Sequence, residues 1–206
     1  MLVGENGDRD PAERGEVDVI AREPTAVLLA GITGSGKTLL AQALADRGMV
    51  RLSVDEEVHR IHGRYGVDYP EDTYFERERP VVEAIRHRLA EHLAAGDDVV
   101  LDHGLWLRED RDAWKKLVEA AGGRWRLVYL PVERDELLRR LADRNQREDA
   151  NALTVTASAL DDFFARFEPP APREQAIIHT GDLAQTCATI LDAGREPERE
   201  GLPGVR

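Results

Sequence analysis

A chain of 206 residues, 42% hydrophobic and only 5% aromatic, has room for one medium α/β domain with a core of Leu, Val, Ile and Ala. Its 28 Lys and Arg against 40 Asp and Glu leave a net charge of −12, which argues against a broad nucleic-acid or anionic-membrane surface but leaves room for a local basic cleft. No apolar run reaches membrane-spanning length, and the single Cys187 excludes an intramolecular disulfide and fits a reducing cytoplasm.

Residues 1–23 are polar and acidic, without a leader-like apolar stretch, and read as a disordered tail. Residues 24–194 read as one domain, and 195–206 as a second tail that is charged and carries Pro and Gly. Within the domain, strand and helix signals alternate. The apolar run 25–30 reads as a buried strand and 39–45 as the helix after it. Between them lies Gly31-Ile32-Thr33-Gly34-Ser35-Gly36-Lys37-Thr38, which matches the phosphate-loop pattern G-x-x-x-x-G-K-[ST]. A second strand is predicted over 49–54, ending at Asp55, then a short helix over 56–61 and a polar, Tyr-bearing loop over 63–72. A long helix follows over 73–95. Val82, Ile85, Leu89 and Leu93 recur on it at helical spacing, Pro80 marks a kink or its true start, and Gly96 stops it.

The third strand covers 98–102, and a helix over 109–121 carries Trp114, Leu117 and Val118 on one face. A fourth strand covers 125–130, and an Arg-rich helix spans 133–144. Residues 145–154 read as a polar loop. Thr156 is placed as the cap of a helix reaching 167, which Glu168-Pro169-Pro170 ends. A short strand over 176–179 and a helix over 182–191 close the series. Such alternation implies a parallel sheet between two layers of helices, with ligands gathered at the carboxyl ends of its strands.

The glycines of the loop let backbone N–H groups turn inward. Gly31, Thr33, Gly34, Ser35, Gly36, Lys37, Thr38 and Leu39 are therefore the expected nucleotide-binding residues, helped by the positive end of the following helix. Lys37 belongs on the β- and γ-phosphates and the Thr38 hydroxyl on Mg²⁺. Asp55, at the end of the next strand, is the candidate base that aligns an acceptor hydroxyl; its alternative is a helix cap. Asp102 follows a very apolar strand and is a candidate Mg²⁺ ligand through water, or an acceptor contact, or a plain turn aspartate. Arg140 and Arg144 share a helix face and Arg147 lies near it, an arrangement suited to a lid over transferring phosphate; a solvated helix with acidic partners is the alternative. His59, Arg60, Arg64, Tyr65 and Tyr69, with His103, form the candidate acceptor site, against an ordinary polar surface loop. Trp106 lines that pocket or simply packs.

With these elements in order, the chain resembles the P-loop kinases of the adenylate-kinase-like group, and more narrowly the AAA_33 type. That type includes relatives of polynucleotide 5′-kinase, chloramphenicol phosphotransferase, zeta toxin and gluconate kinase. The resemblance rests on residues 31–38, Asp55, Val99-Val100-Leu101-Asp102, the stretch 137–145, and Phe167-Glu168-Pro169-Pro170. It implies a three-layer fold with a five-stranded parallel sheet of order 2-3-1-4-5 and an Arg-bearing lid. It also implies that the aspartate matching Asp55 is the base and that lid arginines match Arg140, Arg144 or Arg147. Asp102-His103-Gly104-Leu105-Trp106 departs from the family's usual ending, where a small residue and Thr or Asn follow the aspartate.

The expected activity is transfer of the γ-phosphate of ATP, with Mg²⁺, to a hydroxyl of a small metabolite or antibiotic. A polynucleotide 5′-hydroxyl kinase is the enzymatic alternative, and a non-catalytic nucleotide-binding or toxin-type module the alternative of another class. A GTPase-like switch ranks low, since the chain holds no D-x-x-G and no N-K-x-D.

Overall fold

The computed structural model describes residues 22–144 and 157–192. The predicted tails lie outside these residues, except that Arg22 pairs with Asp98. The loop over 145–154, the Thr156 cap and Arg147 also lie outside them.

Five strands form one sheet: β1 (Thr25–Ala30), β2 (Val50–Ser53), β3 (Val99–Asp102), β4 (Arg124–Tyr129) and β5 (Ile177–Ile178). The order is β2-β3-β1-β4-β5 and every pairing is parallel, as the resemblance implied. β1 is central, and all six of its residues are buried. That is why it reads as a continuous apolar run rather than an alternating one.

The helices are α1 (Lys37–Ala45), α2 (Val54–His62), α3 (Tyr74–Ala94), α4 (Arg108–Ala120), α5 (Arg134–Arg144), α6 (Ala157–Arg166) and α7 (Leu183–Asp192). One core, with Leu28, Leu52, Leu101 and Leu127 on the sheet side, is covered by Val58 of α2, Ile85 and Leu89 of α3 and Trp114 of α4. The opposite face, with Val27, Leu29, Val100 and Val128, is covered by Leu40 and Leu44 of α1 and by Cys187 and Ile190 of α7. A third, small cluster joins Ile32 of the phosphate loop to Leu137 and Leu141 of α5 and Leu160 of α6.

Three sequence expectations need correction. The second strand stops at Ser53, so Asp55 sits in the first turn of α2 instead of ending a strand. Ser53 caps that helix, its hydroxyl accepting from the Glu56 N–H at 3.4 Å, which removes the cap role considered for Asp55. α3 runs through Pro80, which lies in its second turn on the exposed side, so Pro80 is not its start.

A buried ionic knot was not anticipated. Arg111 of α4 is 0% exposed. It donates to the Glu174 carboxylate from Nε (2.7 Å) and Nη2 (2.9 Å), and from Nη1 to the carbonyls of Trp106 (3.1 Å) and Glu168 (2.9 Å). Lys115, one turn on, reaches Glu174 at 3.4 Å. The knot ties the segment after β3 to the one before β5. Arg111 and Lys115 share the buried stripe of α4 with Trp114 and Val118, so the signal was cations at core spacing. The Arg111 hydrogen bonds, with that from the Ala171 N–H, hold Glu174 at about 2 against the opposing effect of burial. That contribution to stability is present above the ordinary value of 4.5 and is lost as pH falls toward 2. Arg111→Met, which strands the buried carboxylate, is expected to destabilise the fold by about 3–5 kcal/mol. Urea unfolding at pH 7 checks this; a loss below roughly 1 kcal/mol would contradict the role of the knot.

Candidate active site

The phosphate loop leaves β1 and enters α1 with two glycines in left-handed backbone, Gly34 (φ 84°) and Gly36 (φ 101°). Nothing lies within 4 Å of a Cβ placed on Gly36, so only its backbone angle demands glycine there. At Gly34 the demand is also steric: a Cβ would stand 3.2 Å from Leu137 Cδ2 of α5. Ser35 is buried, and its Oγ has no hydrogen-bond partner although it lies against Gly31 inside the loop. An orphaned buried hydroxyl beside left-handed glycine backbone at the start of a nine-residue helix fits a phosphate ligand. Lys37 Nζ donates to the Ile32 carbonyl across the loop at 3.0 Å. Leu39, the last of the expected nucleotide-binding residues, has a side chain that is 70% exposed.

Asp102, at the carboxyl end of β3, is only 4% exposed and meets two groups. Its Oδ1 accepts from the Thr38 hydroxyl at 3.4 Å, and its Oδ2 from Arg51 Nη2 at 2.6 Å and Nε at 3.0 Å. Thr38 and Asp102 are therefore adjacent hard oxygen donors at the phosphate end of the loop, a donor set suited to Mg²⁺ completed by phosphates and water. Among the described residues, no group of three or more His, Cys, Asp and Glu side chains could hold a metal ion. Burial pushes the Asp102 carboxyl up, opposed by Arg51 and Lys37. Arg51 had been read only as part of a strand. Its guanidinium also forks onto Glu56 at 2.7 and 3.1 Å, so it links the end of β3 to the first turn of α2.

Asp55 is exposed on that first turn, and the Tyr74 hydroxyl donates to its Oδ1 at 2.8 Å. His103, next along from Asp102, is half-buried. Desolvation pushes its imidazole below the ordinary value and Lys37 pushes the same way, against the charges of Asp55, Asp110 and Asp102. Glu78 of α3, missed in the sequence, faces Asp55 and Tyr74. Burial first, then the Asp55 and Asp110 charges, push its carboxyl up to about 7.

The other acceptor candidates divide. Arg60 pairs with Glu57 at 2.8 Å and Arg64 with Asp68 at 3.2 Å, both on the surface. His59 is half-buried on α2. Tyr65 and Tyr69 meet edge to face with ring centroids 6.1 Å apart, and Tyr69 is 5% exposed in the core. The loop over 63–72 is thus partly packed rather than simply polar. Trp106 packs on Phe163 of α6, with centroids 5.0 Å apart.

On the donor side, Arg140 pairs with Glu136 at 2.7 Å and reaches the Gly34 carbonyl at 3.4 Å. α5 therefore touches the phosphate loop through Arg140 as well as through Leu137. Arg144 is the last residue of α5; its side chain, like Arg147, lies outside the described part.

The AAA_33 family, described as an AAA domain, matches residues 27–170. The chain belongs to this family. No curated protein matches it. Its fold is that of P-loop kinases. A provisionally named kinase from Chloroflexus aurantiacus is 17% identical, covering 84% of this chain and 99% of its own, with a TM-score of 0.68. A gluconokinase from Sinorhizobium meliloti is 24% identical over 84% of this chain and 92% of its own, with a TM-score of 0.54. The APS kinase CysC of Mycobacterium tuberculosis, solved with AMPPNP and APS, is 17% identical over 82% of this chain and 96% of its own, with a TM-score of 0.59.

Proposed function

We propose that this AAA_33 protein is an ATP- and Mg²⁺-dependent kinase that phosphorylates a hydroxyl of a small metabolite or antibiotic, with residues 24–194 as its catalytic domain. The observation that supports the reading is that Arg51 ties Asp102, beside Thr38 of the loop, to Glu56 in the first turn of α2, the turn that bears the exposed carboxylate of Asp55. A nucleotide-binding module has no use for such a carboxylate, whereas transfer needs one to align the acceptor.

In this reading, Gly31, Thr33, Gly34, Ser35, Gly36 and Leu39 surround the phosphates, Lys37 neutralises charge on the β- and γ-phosphates, and Thr38 and Asp102 hold Mg²⁺. Bound Mg²⁺ offsets phosphate charge as transfer proceeds. Asp55 takes the acceptor proton. Arg140, Arg144 and Arg147 supply cations from the lid, and His103 offers the acceptor a hydrogen bond. His59, Arg60, Arg64, Tyr65 and Tyr69 belong to the acceptor's surroundings, with Arg60 and Arg64 needing to leave their surface partners to touch it. Carboxylates at Asp55, Glu78 and Asp110 disfavour a polyanionic acceptor. The buried thiol of Cys187, and the lack among the described residues of a helix able to cross a membrane, suit a cytoplasmic enzyme.

The test is ATP consumption over a panel of sugars, nucleosides, aminoglycosides and short oligonucleotides, with mass detection of product. A phosphorylated small molecule is expected. Phosphorylation of the oligonucleotides alone would replace this reading with a nucleic-acid kinase, and tight ATP binding without any product would replace it with a non-catalytic module.

A further inference from the structure

The Asp55 side chain is held from one side by a rigid phenol. Tyr74 is the first residue of α3, and its hydroxyl donates to Asp55 Oδ1 at 2.8 Å. The ring has little freedom to swing away. It meets Tyr65 edge to face with centroids 5.7 Å apart at 73°, and Phe75 at 5.6 Å and 83°. Tyr65 in turn rests on Tyr69, which carries the Arg77 guanidinium 4.9 Å from its ring centre. Burial, then the charges of Asp55 and Glu78, push the Tyr74 phenol far above its ordinary range, so it stays a donor throughout the working pH range.

We propose that Tyr74 is a positioning residue for phosphoryl transfer: its hydroxyl holds Oδ1 of Asp55 and leaves Oδ2 to receive the acceptor's proton. The proposal rests on the reading of Asp55 as the base. In the step it serves, the acceptor oxygen forms a bond to the γ-phosphorus. The bond from that phosphorus to the β,γ-bridging oxygen breaks, its electron pair leaving with ADP, and the acceptor proton passes to Asp55 Oδ2. A carboxylate free to rotate would spend much of its time pointing elsewhere; one hydrogen bond to the other oxygen removes that freedom before the acceptor arrives. Glu78, one turn along α3, shares the negative electrostatic surroundings of Asp55 and Asp110, while the one phenolic proton of Tyr74 goes to Asp55.

Hydrolysis of ATP·Mg²⁺ by water, with no acceptor added, supplies a rate in which water takes the acceptor's place. Tyr74→Phe is expected to lower its single-turnover rate about tenfold while the Kd for ATP stays within about twofold. Added to Asp55→Asn it is expected to cost nothing further, because the hydroxyl acts only through that carboxylate. A rate for Tyr74→Phe within about twofold of the parent overturns the proposal, and so does an equal loss in the Asp55→Asn background. If Asp55→Asn itself hydrolyses ATP at the parental rate, the base reading fails, which is a separate result. Tyr74→Phe keeps the ring and its edge contacts with Tyr65 and Phe75, so it is expected to fold as the parent does, which a urea midpoint checks before the rates are compared.

Discussion

Asp55→Asn is expected to lower kcat about 10²–10⁴-fold with the acceptor found by the screen, the usual worth of a positioned base. The substitution keeps the shape of the side chain. Its carbonyl still accepts from Tyr74, and Ser53 still caps α2, so the fold has no reason to change. What disappears is the ability to take a proton and the charge that aligns the acceptor hydroxyl. The loss should fall on kcat and on kcat/KM for the acceptor in equal measure, with Kd for ATP within about twofold, since Asp55 does not serve the donor. Steady-state kinetics against both substrates checks this. Full activity in a normally folded Asp55→Asn protein would reduce Asp55 to a surface carboxylate tied to Tyr74.

Lys37→Met is the second large effect. The ammonium stands at the start of α1, where the loop's N–H groups and the helix end already favour anions. Removing its charge takes away a charge-assisted contact worth about 1.5–3 kcal/mol, or roughly 10–100-fold in Kd for ATP·Mg²⁺. It should also lower kcat about 10²–10³-fold, because negative charge builds on the phosphoryl oxygens during transfer. Calorimetric titration with a non-hydrolysable ATP analogue and Mg²⁺ measures the first, and product formation the second. Unchanged affinity would mean that the loop is a glycine-rich turn without a ligand.

The two substitutions separate acceptor from donor, and they differ in how plainly their residues announced themselves. Lys37 was legible because its chemistry is local: eight consecutive residues encode the loop, and flanking apolar runs supply the strand and helix. The alternation of elements was legible for the same reason, with boundaries shifted by a residue or two. Sheet order came from family resemblance, since periodicity says nothing about which strands are neighbours. What stayed hidden were contacts made by folding. Arg51 meets Asp102 across 51 positions, and Arg111 meets Glu174 across 63. Nothing local in a strand over 49–54 or a helix over 109–121 marks Arg51 or Arg111 as a partner of those distant carboxylates. Tyr74 is one of several aromatic and charged residues that follow Asp55 in the sequence, with nothing local to single it out. That its hydroxyl returns to Asp55 depends on α3 folding back beside α2.

The two large cores lie on opposite faces of the sheet. α1, which opens at the phosphate loop, packs with α7 over Leu29 and Val100, while α2, α3 and α4, which carry Asp55, Tyr74, Glu78 and Asp110, pack over Leu28 and Leu101. Substitutions well apart and without shared partners add nearly independently. On the proposed reading, substitutions packed over Leu28 and Leu101 are expected to alter acceptor use more than nucleotide affinity, and Arg51, which bonds Asp102 and Glu56, is where the two would couple.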